Sequence, residues 1–360
     1  MPGGDRRKGP EMRPSQGPLP DTIRDTNHLD ELLSEPTDGV VEALRGLDGD
    51  LMVLGVGGKM GPSLARMARR AMDAAGSSRR VIGVSRFSSG GLDRQLREWG
   101  VETIACDLLD DAALEALPDC PLIVYMAGMK FGSTGQEALT WAMNCHLPAR
   151  VGTRFRGSRI AAFSTGNVYP FLPVGHRGAV ESDLPAPVGE YAMSCLGRER
   201  MLEHFSRSLE APVAILRLNY AVAIRYGVLA DIAWSVWSGQ SISLETAAVN
   251  VIWQADANAM ALQSLARAGS PPFVLNIAGP EQLCVRSVAE RFGEMMGKAP
   301  RFRGEPAPTA LLSDGAKGLA LFGAPRADAE QMMRWLADWV MRGGECLGKP
   351  THFEARDGRF

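Results

Sequence analysis

The sequence has no broad excess of charge of either sign. Its 360 residues include 39 Lys and Arg against 41 Asp and Glu, a net charge of -2. This balance does not indicate a large basic surface for nucleic acid or anionic lipid. Nor does any apolar stretch approach the roughly 20 residues that cross a bilayer. We therefore expect a small molecule as the ligand, with neither nucleic acid nor a membrane as a partner.

Cysteine and histidine are few and scattered. The six cysteines form no Cys-x-x-Cys pair, and the five histidines form no group with metal-ligand spacing. Dispersed thiols suit a reducing compartment, and no metal is expected. The first 20 residues are rich in Pro, Gly and charge but lack the apolar core of a signal peptide. The sequence predicts a cytoplasmic protein with a disordered tail over residues 1–20.

Short apolar runs alternate with helix-length connections through the middle of the chain. The runs cover residues 51–54, 81–84, 103–106, 122–126, 160–163 and 213–218. Continuous runs of this length indicate parallel strands that are covered on both faces. The predicted fold class is α/β, a doubly wound parallel sheet of the Rossmann type with a smaller mixed C-terminal lobe.

The flanking regions have different patterns. Residues 21–49 contain two short amphipathic segments, the second with Thr37 as its N-cap, and so predict a helical N-terminal extension. The alternating domain covers residues 50–218. The smaller lobe covers residues 219–345, and residues 346–360 form a C-terminal tail whose docking place the sequence does not reveal.

A glycine-rich turn joins the first strand of the alternating domain to its first helix. Gly55, Gly58 and Gly61 recur every three residues, with Lys59 and Met60 between the last two. Glycine allows a tight turn and close backbone approach to a pyrophosphate, which the helix N-terminus also favours. The turn predicts that residues 50–218 bind NAD(P). A glycine-rich turn without a ligand is the plainer alternative.

The end of the second strand bears on which cofactor is bound. An NAD-preferring protein usually carries a carboxylate there, which binds the ribose hydroxyls. This chain has Ser85 and Arg86 instead. Arg86 is suited to a 2′-phosphate, so NADP is predicted over NAD, unless Arg86 is only a solvated loop charge.

Further motifs follow in a fixed order along the chain. They are Asp107-Leu108 after strand three, Ala127-Gly128-Met129-Lys130 after strand four, Asn144 in the next helix, and Ser164-Thr165-Gly166-Asn167-Val168-Tyr169 after strand five. This order resembles the extended short-chain dehydrogenase/reductase family, its NAD-dependent epimerase/dehydratase group, over roughly residues 50–340.

The resemblance implies roles for these residues. Asp107 and Leu108 would meet the adenine. The cofactor would lie along a second set, namely Ala127, Gly128, Lys130 and Asn144. Thr165 would contact the reacting hydroxyl of the substrate, with Asn167 beside it.

The family carries Tyr-x-x-x-Lys at the next helix, and this chain has Tyr191 followed by Cys195. Tyr191 would then be the acid/base. Cys195 stands where the resemblance implies a cofactor-binding lysine. It is a small apolar filler, a redox-sensitive thiol, or a contact to ribose or substrate. A missing cation would be supplied by Arg198, unless that residue is a surface arginine, or by Lys130.

The resemblance places substrate contacts after strand six, at Tyr220, Arg225 and Tyr226. It implies an NAD(P)-dependent oxidoreductase or epimerase acting on a hydroxy/keto substrate such as a sugar or polyol. Dehydratase chemistry is disfavoured because Gly166, not an acid, follows Thr165. The alternative is a non-catalytic NAD(P)-binding regulatory protein, since the lysine is missing. The sequence is compatible with a homodimer.

Overall fold

The computed structural model describes residues 17–88 and 90–359. The predicted tail covers residues 1–20, and its first 16 residues lie outside the described residues. The strands, numbered in chain order, are β1 Leu51–Leu54, β2 Val81–Ser85, β3 Glu102–Ala105, β4 Leu122–Tyr125, β5 Arg159–Thr165, β6 Leu172–Pro173, β7 Val213–Leu218, β8 Ala221–Val222, β9 Ser241–Ser243, β10 Ala248–Val249, β11 Ile252–Trp253, β12 Phe273–Ile277, β13 Leu283–Cys284, β14 Arg301–Arg303 and β15 Thr309–Ala310.

Helices connect most of these strands. They are α1 Thr26–Leu33, α2 Asp38–Arg45, α3 Gly61–Ala74, α4 Leu92–Glu98, α5 Asp111–Glu115, α6 Glu137–Trp141, α7 Leu147–Arg154, α8 Gly189–Leu209, α9 Val228–Ser238, α10 Gln254–Ser264, α11 Val285–Met296, α12 Ala316–Phe322 and α13 Ala329–Met341. A π-helical turn, Ala142–His146, joins α6 to α7, and 3₁₀ turns cover Gly166–Val168 and Leu265–Arg267.

Seven parallel strands form the central sheet in the order β12-β7-β5-β4-β1-β2-β3. Every residue of β1 and β4 is buried, because helices cover both faces of the sheet. The predicted doubly wound parallel sheet is confirmed. Strand order reverses between β1 and β4, the position at which open α/β sheets bind ligands beyond the carboxyl ends of their strands.

The sheet extends past the predicted boundary at residue 218. Strand β12, from the part of the chain assigned to the smaller lobe, pairs in parallel with β7 from Phe273↔Ala214 to Ile277↔Leu218. The smaller lobe is therefore not a separate unit. Its remaining strands form two-stranded pairs, and α9, α11 and α13 pack against one another beside them.

The N-terminal extension folds as two helices. Thr37 caps α2 by accepting a hydrogen bond from the backbone N–H of Val40, as its sequence predicts. The apolar face of α2, Val40, Val41 and Leu44, is buried against α3 and α10. The extension thus buttresses the helix that follows the glycine turn.

Candidate active site

The glycine turn between β1 and α3 lies against the loop that follows β4. Gly55 has φ +91°, and a Cβ there would stand 2.6 Å from the backbone nitrogen of Ala127. A Cβ on Gly61 would stand 2.3 Å from the carbonyl oxygen of Val56. At Gly58, by contrast, the nearest atom would be 3.5 Å away. The outer glycines are needed for packing of the fold, whereas Gly58 leaves open space above the loop.

Lys59 projects from this turn into a cleft. Its Nζ lies 3.3 Å from the centroid of the Tyr226 ring and 4.0 Å from that of Phe131. Among the described residues no hydrogen-bond partner reaches this buried nitrogen. Burial, together with the charges of Lys130 and Lys349, lowers the pKa of Lys59 to about 7. The nitrogen is therefore suited to an anionic ligand.

Asn144 fixes the loop after β4. It lies buried in the π-helical turn, donates from Nδ2 to the carbonyl of Met129 at 2.8 Å, and accepts the Met129 N–H at Oδ1 at 2.8 Å. The same amide donates to the Ser194 hydroxyl on α8 at 3.0 Å. Asn144 therefore holds the backbone next to Lys130 at a set distance from the helix that carries Tyr191.

Tyr191 lies in the first turn of α8 with its hydroxyl inside the cleft. The phenol is hydrogen-bonded to the hydroxyl of Thr165, at the carboxyl end of β5, and to the thiol of Cys195 one helical turn on. Burial raises the pKa of Tyr191 well above its usual value, and Cys195 adds to the rise. Burial also raises the pKa of the Cys195 thiol. Both groups therefore keep their protons at neutral pH.

Arg198 lies beneath this pair and is only 6% exposed, contrary to the expectation of a surface arginine. Its guanidinium donates to the carbonyl of Phe163 at 2.6 Å and to Oδ1 of Asn144 at 2.9 Å. It opposes the rise in the pKa of Tyr191 without cancelling it. A Cβ on Gly128 would stand 2.4 Å from this guanidinium, which explains the glycine there.

A second buried arginine fixes α8 to the sheet. Arg217 on β7 donates to the carboxylate of Glu199 at 2.7 Å and to the hydroxyl of Tyr169 at 2.7 Å. Both ends of the ion pair are more than nine-tenths buried. Removing either partner would leave an uncompensated buried charge, so the pair keeps the register of the helix that bears Tyr191.

These elements line an open cavity of about 740 Å³. The glycine turn forms one end, and Tyr191 with Thr165 forms the other. Of the residues predicted for the site, the cavity is lined by Gly55, Gly58, Lys59, Met60, Gly61, Gly128, Lys130, Asn144, Thr165, Asn167, Tyr191, Tyr220 and Tyr226.

The other predicted site residues lie outside the cavity lining. Cys195 is buried behind Tyr191, and Ala127 is buried behind the glycine turn. Arg225 forms ion pairs with Asp30 at 2.7 Å and with Glu345 at 3.6 Å, which hold the N-terminal extension and the end of the chain together.

Four more predicted residues lie near the ends of β2 and β3. Ser85 lies beside Gly57. A Cβ on Gly57 would stand 2.5 Å from the hydroxyl oxygen of Ser85. Arg86 and Asp107 are exposed, and Leu108 is buried. These positions border the outer side of the glycine turn, beyond the enclosed part of the cleft.

The C-terminal segment, residues 346–359, covers the Tyr191 end of the cavity, and residues 348–352 line it. Thr351 is buried, and its backbone N–H and hydroxyl both donate to the carboxylate of Asp231 on α9, at 2.8 and 2.5 Å. Lys130 donates to the carbonyl of Thr351 at 3.5 Å. The His352 ring packs against Phe131 with 6.2 Å between centroids. The sequence offered no signal for this docking beyond the polar and aromatic character of the segment.

The described part of the chain, residues 17–88 and 90–359, contains no group of His, Cys, Asp and Glu arranged to hold a metal. Over the same residues, no helix is long and apolar enough to cross a membrane.

Residues 51–225 match the model of the NAD dependent epimerase/dehydratase family. Residues 51–225 belong to this family. It is the family that the order of motifs predicts, and it consists of NAD-dependent enzymes of the extended short-chain dehydrogenase/reductase type. A search of curated proteins finds no match to the sequence.

Solved structures share the fold over most of the chain. UDP-glucose 4-epimerase of Thermotoga maritima, solved with UDP-glucose, is 17% identical, and the match covers 82% of this chain and 99% of that one with a TM-score of 0.69. UDP-glucose 4-epimerase of Thermus thermophilus, solved with NAD, is 21% identical over 82% and 99%, with a TM-score of 0.67. UDP-glucuronic acid 4-epimerase of Bacillus cereus, also solved with NAD, is 16% identical over 81% and 99%, with a TM-score of 0.66.

Proposed function

We propose that the protein is an NAD(P)-dependent oxidoreductase or epimerase acting on a hydroxy/keto substrate such as a sugar or polyol. One observation carries the proposal: the hydrogen-bonded pair of Tyr191 and Thr165 lies in the same cavity as the glycine turn. A phenol beside a second hydroxyl can exchange a proton with a carbinol oxygen and hold that oxygen in place.

The chain's residues fit a dinucleotide. The glycine turn opens α3, whose N-terminus favours phosphate, and Gly58 leaves the space that a pyrophosphate needs. Lys59 offers an ammonium without a hydrogen-bond partner among the described residues. A bound nicotinamide would supply a two-electron donor or acceptor for a carbon of the substrate. Asn144 and Gly128 would shape the wall along which it lies.

Tyr191 would donate and accept the hydroxyl proton, and Thr165 would orient the oxygen. Because the phenol keeps its proton at neutral pH, Tyr191 is ready to donate to a carbonyl oxygen, as reduction requires. Accepting a proton, as oxidation requires, needs the phenolate and becomes easier as the pH rises. Asn167, Tyr220 and Tyr226 line the cavity and would contact the substrate.

The substrate class rests on the shape of the cleft. The structural neighbours named above were solved with, or act on, UDP-sugars. In this chain the C-terminal segment covers the Tyr191 end, where Thr351 bonds to Asp231. A substrate without a large activating group fits an end that the segment covers in this way, so we favour a free sugar, a polyol or another small hydroxy/keto compound.

We propose that the protein prefers NADP to NAD as its cofactor. Arg86 is exposed at the end of β2, with Ser85 in place of a ribose-binding carboxylate. The support is the charge and position of Arg86.

The alternative is a non-catalytic NAD(P)-binding regulatory protein. The observation that favours it is the contact between Tyr191 and the neutral Cys195 thiol, which leaves α8 without an ammonium one turn from the phenol.

Turnover separates the two proposals. The purified protein, loaded with NADP⁺ or NAD⁺, is mixed with a panel of sugars and polyols while the absorbance of reduced nicotinamide is followed. An oxidoreductase is expected to reduce the cofactor with at least one compound. An epimerase returns the hydride to its substrate, so its turnover is read from the inverted product by NMR of the same mixtures. The Tyr191→Phe variant is expected to show neither activity. Tight cofactor binding without turnover on any compound, in either direction, would instead establish the regulatory alternative.

A further inference from the structure

Tyr191 needs a nearby positive charge if it is to accept a proton. Its phenol is buried, and its neighbour on the same helix, Cys195, stays neutral because burial raises the pKa of the thiol. A phenolate in such surroundings is unfavourable unless an opposite charge lies within about 4–6 Å.

Two cations in the cleft are already committed elsewhere. Arg198 donates to the carbonyl of Phe163 and to both oxygens of Asn144, and it never gives up its proton. Its charge is already present, and the pKa of Tyr191 is still raised. The Nζ of Lys59 lies over the rings of Tyr226 and Phe131.

Lys130 lies closer to the phenol. Its Nζ is 5.9 Å from the centroid of the Tyr191 ring. Burial lowers the pKa of Lys130 to about 8, which leaves it mostly charged at neutral pH. The carboxylate of Asp231 favours this charged form.

Two contacts hold the ammonium there. On one side, the Asn144 amide forms two hydrogen bonds with the backbone of Met129, the residue before Lys130. On the other, the ammonium donates to the carbonyl of Thr351, whose own N–H and hydroxyl are fixed by Asp231. The docked C-terminal segment is therefore part of what keeps the charge beside Tyr191.

We propose that Lys130 is a positioning residue for Tyr191, supplying from the loop after β4 the positive charge that the Cys195 thiol lacks. The inference rests on the proposed function, since it concerns the proton step of that reaction. In oxidation the proton of the substrate hydroxyl passes to the phenolate oxygen of Tyr191, while the Lys130 ammonium keeps its own proton. In reduction the phenol returns that proton to the carbonyl oxygen.

Under this proposal the two groups titrate as a pair. Loss of one proton from the pair gives either phenol with amine or phenolate with ammonium, and the second form is the one that accepts the substrate proton. The charged groups facing the pair are Arg198 from α8, Asp231 from α9 and Lys59 from the glycine turn.

The direct test replaces Tyr191 with difluorotyrosine in the full-length protein and follows its titration by fluorine NMR. Fluorination makes the phenol more acidic and brings its titration to a pH at which the protein stays folded. Lys130→Met is expected to raise the measured phenol pKa by about one unit or more, and Lys130→Arg to leave it near or below the parent value. Lys317→Met is the matched control, because Lys317 is exposed and donates to a backbone carbonyl outside the cleft, that of Val274.

The pH profile of turnover is the second readout. In Lys130→Met, oxidation is expected to shift toward higher pH, with reduction at neutral pH much less affected. The double variant Lys130→Met/Cys195→Lys, which restores an ammonium one turn from the phenol, is expected to move the profile back.

An unchanged phenol titration in a folded Lys130→Met protein would overturn the proposal, even if cofactor affinity fell, because Lys130 would then serve the cofactor alone. The fluorine titration needs no turnover. A shifted titration in a protein that turns over no substrate would leave the pairing of Lys130 with Tyr191 in place and reject the proposed function instead.

Discussion

The two ends of the cleft are built in different ways. At the glycine-turn end, the shape comes from residues that follow one another in the chain, Gly55 to Gly61, between a strand and a helix. At the Tyr191 end, it comes from residues far apart: Thr351 meets Asp231 across 120 positions and Lys130 across 221. The first end depends on local backbone geometry. The second depends on how the smaller lobe and the C-terminal segment dock, and so it is the end that can diverge while the fold is kept.

The largest effect is expected at the Tyr191 end. Tyr191→Phe keeps the ring and removes the proton, so turnover should fall by about 10² or more, the usual scale of general acid–base catalysis. Cofactor affinity should change little, because the phenol lies away from the glycine turn. Steady-state kinetics and cofactor titration measure the two quantities.

Tyr125→Phe is the matched control, since Tyr125 is a fully buried phenol on β4 whose hydroxyl donates to the carbonyl of Met143 at 3.4 Å. Parental turnover in a folded Tyr191→Phe protein would remove the chemistry from Tyr191 and leave the two ends of the cleft without separate roles.

The next effect concerns the glycine-turn end. Gly58→Val adds a Cβ whose nearest atom beyond the adjacent residues is 3.5 Å away, so the fold should tolerate it. A bound pyrophosphate should not, and overpacking of about 1–3 kcal/mol corresponds to roughly 5- to 150-fold weaker binding. Isothermal titration with the cofactor and thermal unfolding measure the two quantities.

Gly61→Val serves as the contrast. Its Cβ would meet the carbonyl of Val56, so this variant should lose stability as well as binding. A folded Gly58→Val protein with parental cofactor affinity would show that the turn does not hold the pyrophosphate.

A smaller effect is expected at the outer edge of the glycine turn, where Arg86 lies. Arg86→Met should weaken NADPH binding by about tenfold and leave NADH binding unchanged, because only a 2′-phosphate can use the guanidinium. Fluorescence titration with both reduced cofactors measures this. Arg94→Met, at an exposed position on α4, is the control. If the parent protein binds NADH more tightly than NADPH, Arg86 is a solvated charge.

The smallest effect is expected where the C-terminal segment docks. Thr351→Val removes the hydroxyl bond to Asp231 but keeps the backbone N–H bond, so the segment should loosen without leaving. A net hydrogen bond of about 1 kcal/mol corresponds to a few-fold rise in the KM of the substrate. Thr153→Val, on an exposed helix surface, is the control. A rise in cofactor Kd instead of substrate KM would place the segment at the wrong end of the cleft.

The sequence predicted most of the sheet because buried parallel strands leave an unmistakable pattern. Strands β1 and β7 begin and end at the predicted residues, and Thr37 caps α2. The place of β12 in the central sheet could not be predicted, since a single apolar run carries no record of its pairing partner.

For the site, the glycine turn and the position of Tyr191 and Thr165 could be read from motifs. The burial of Arg198 could not, because an arginine in a helix looks the same whether solvent or a backbone carbonyl satisfies it. The role of Asp231 was also missed. Its partner, Thr351, belongs to a segment with no periodic pattern, and only the folded chain brings them together.

The pairing of β12 with β7 has a practical consequence for dissecting the protein. A fragment ending at residue 218 would contain the glycine turn, Tyr191 and Thr165, yet it would expose the whole free edge of β7. An unprotected edge of that kind, rich in Val, Ile and Leu, is a template for association with other chains. Fragments meant to isolate the half that carries the glycine turn should therefore retain Phe273–Ile277, grafted through a short linker if the intervening lobe is removed, or they are expected to precipitate.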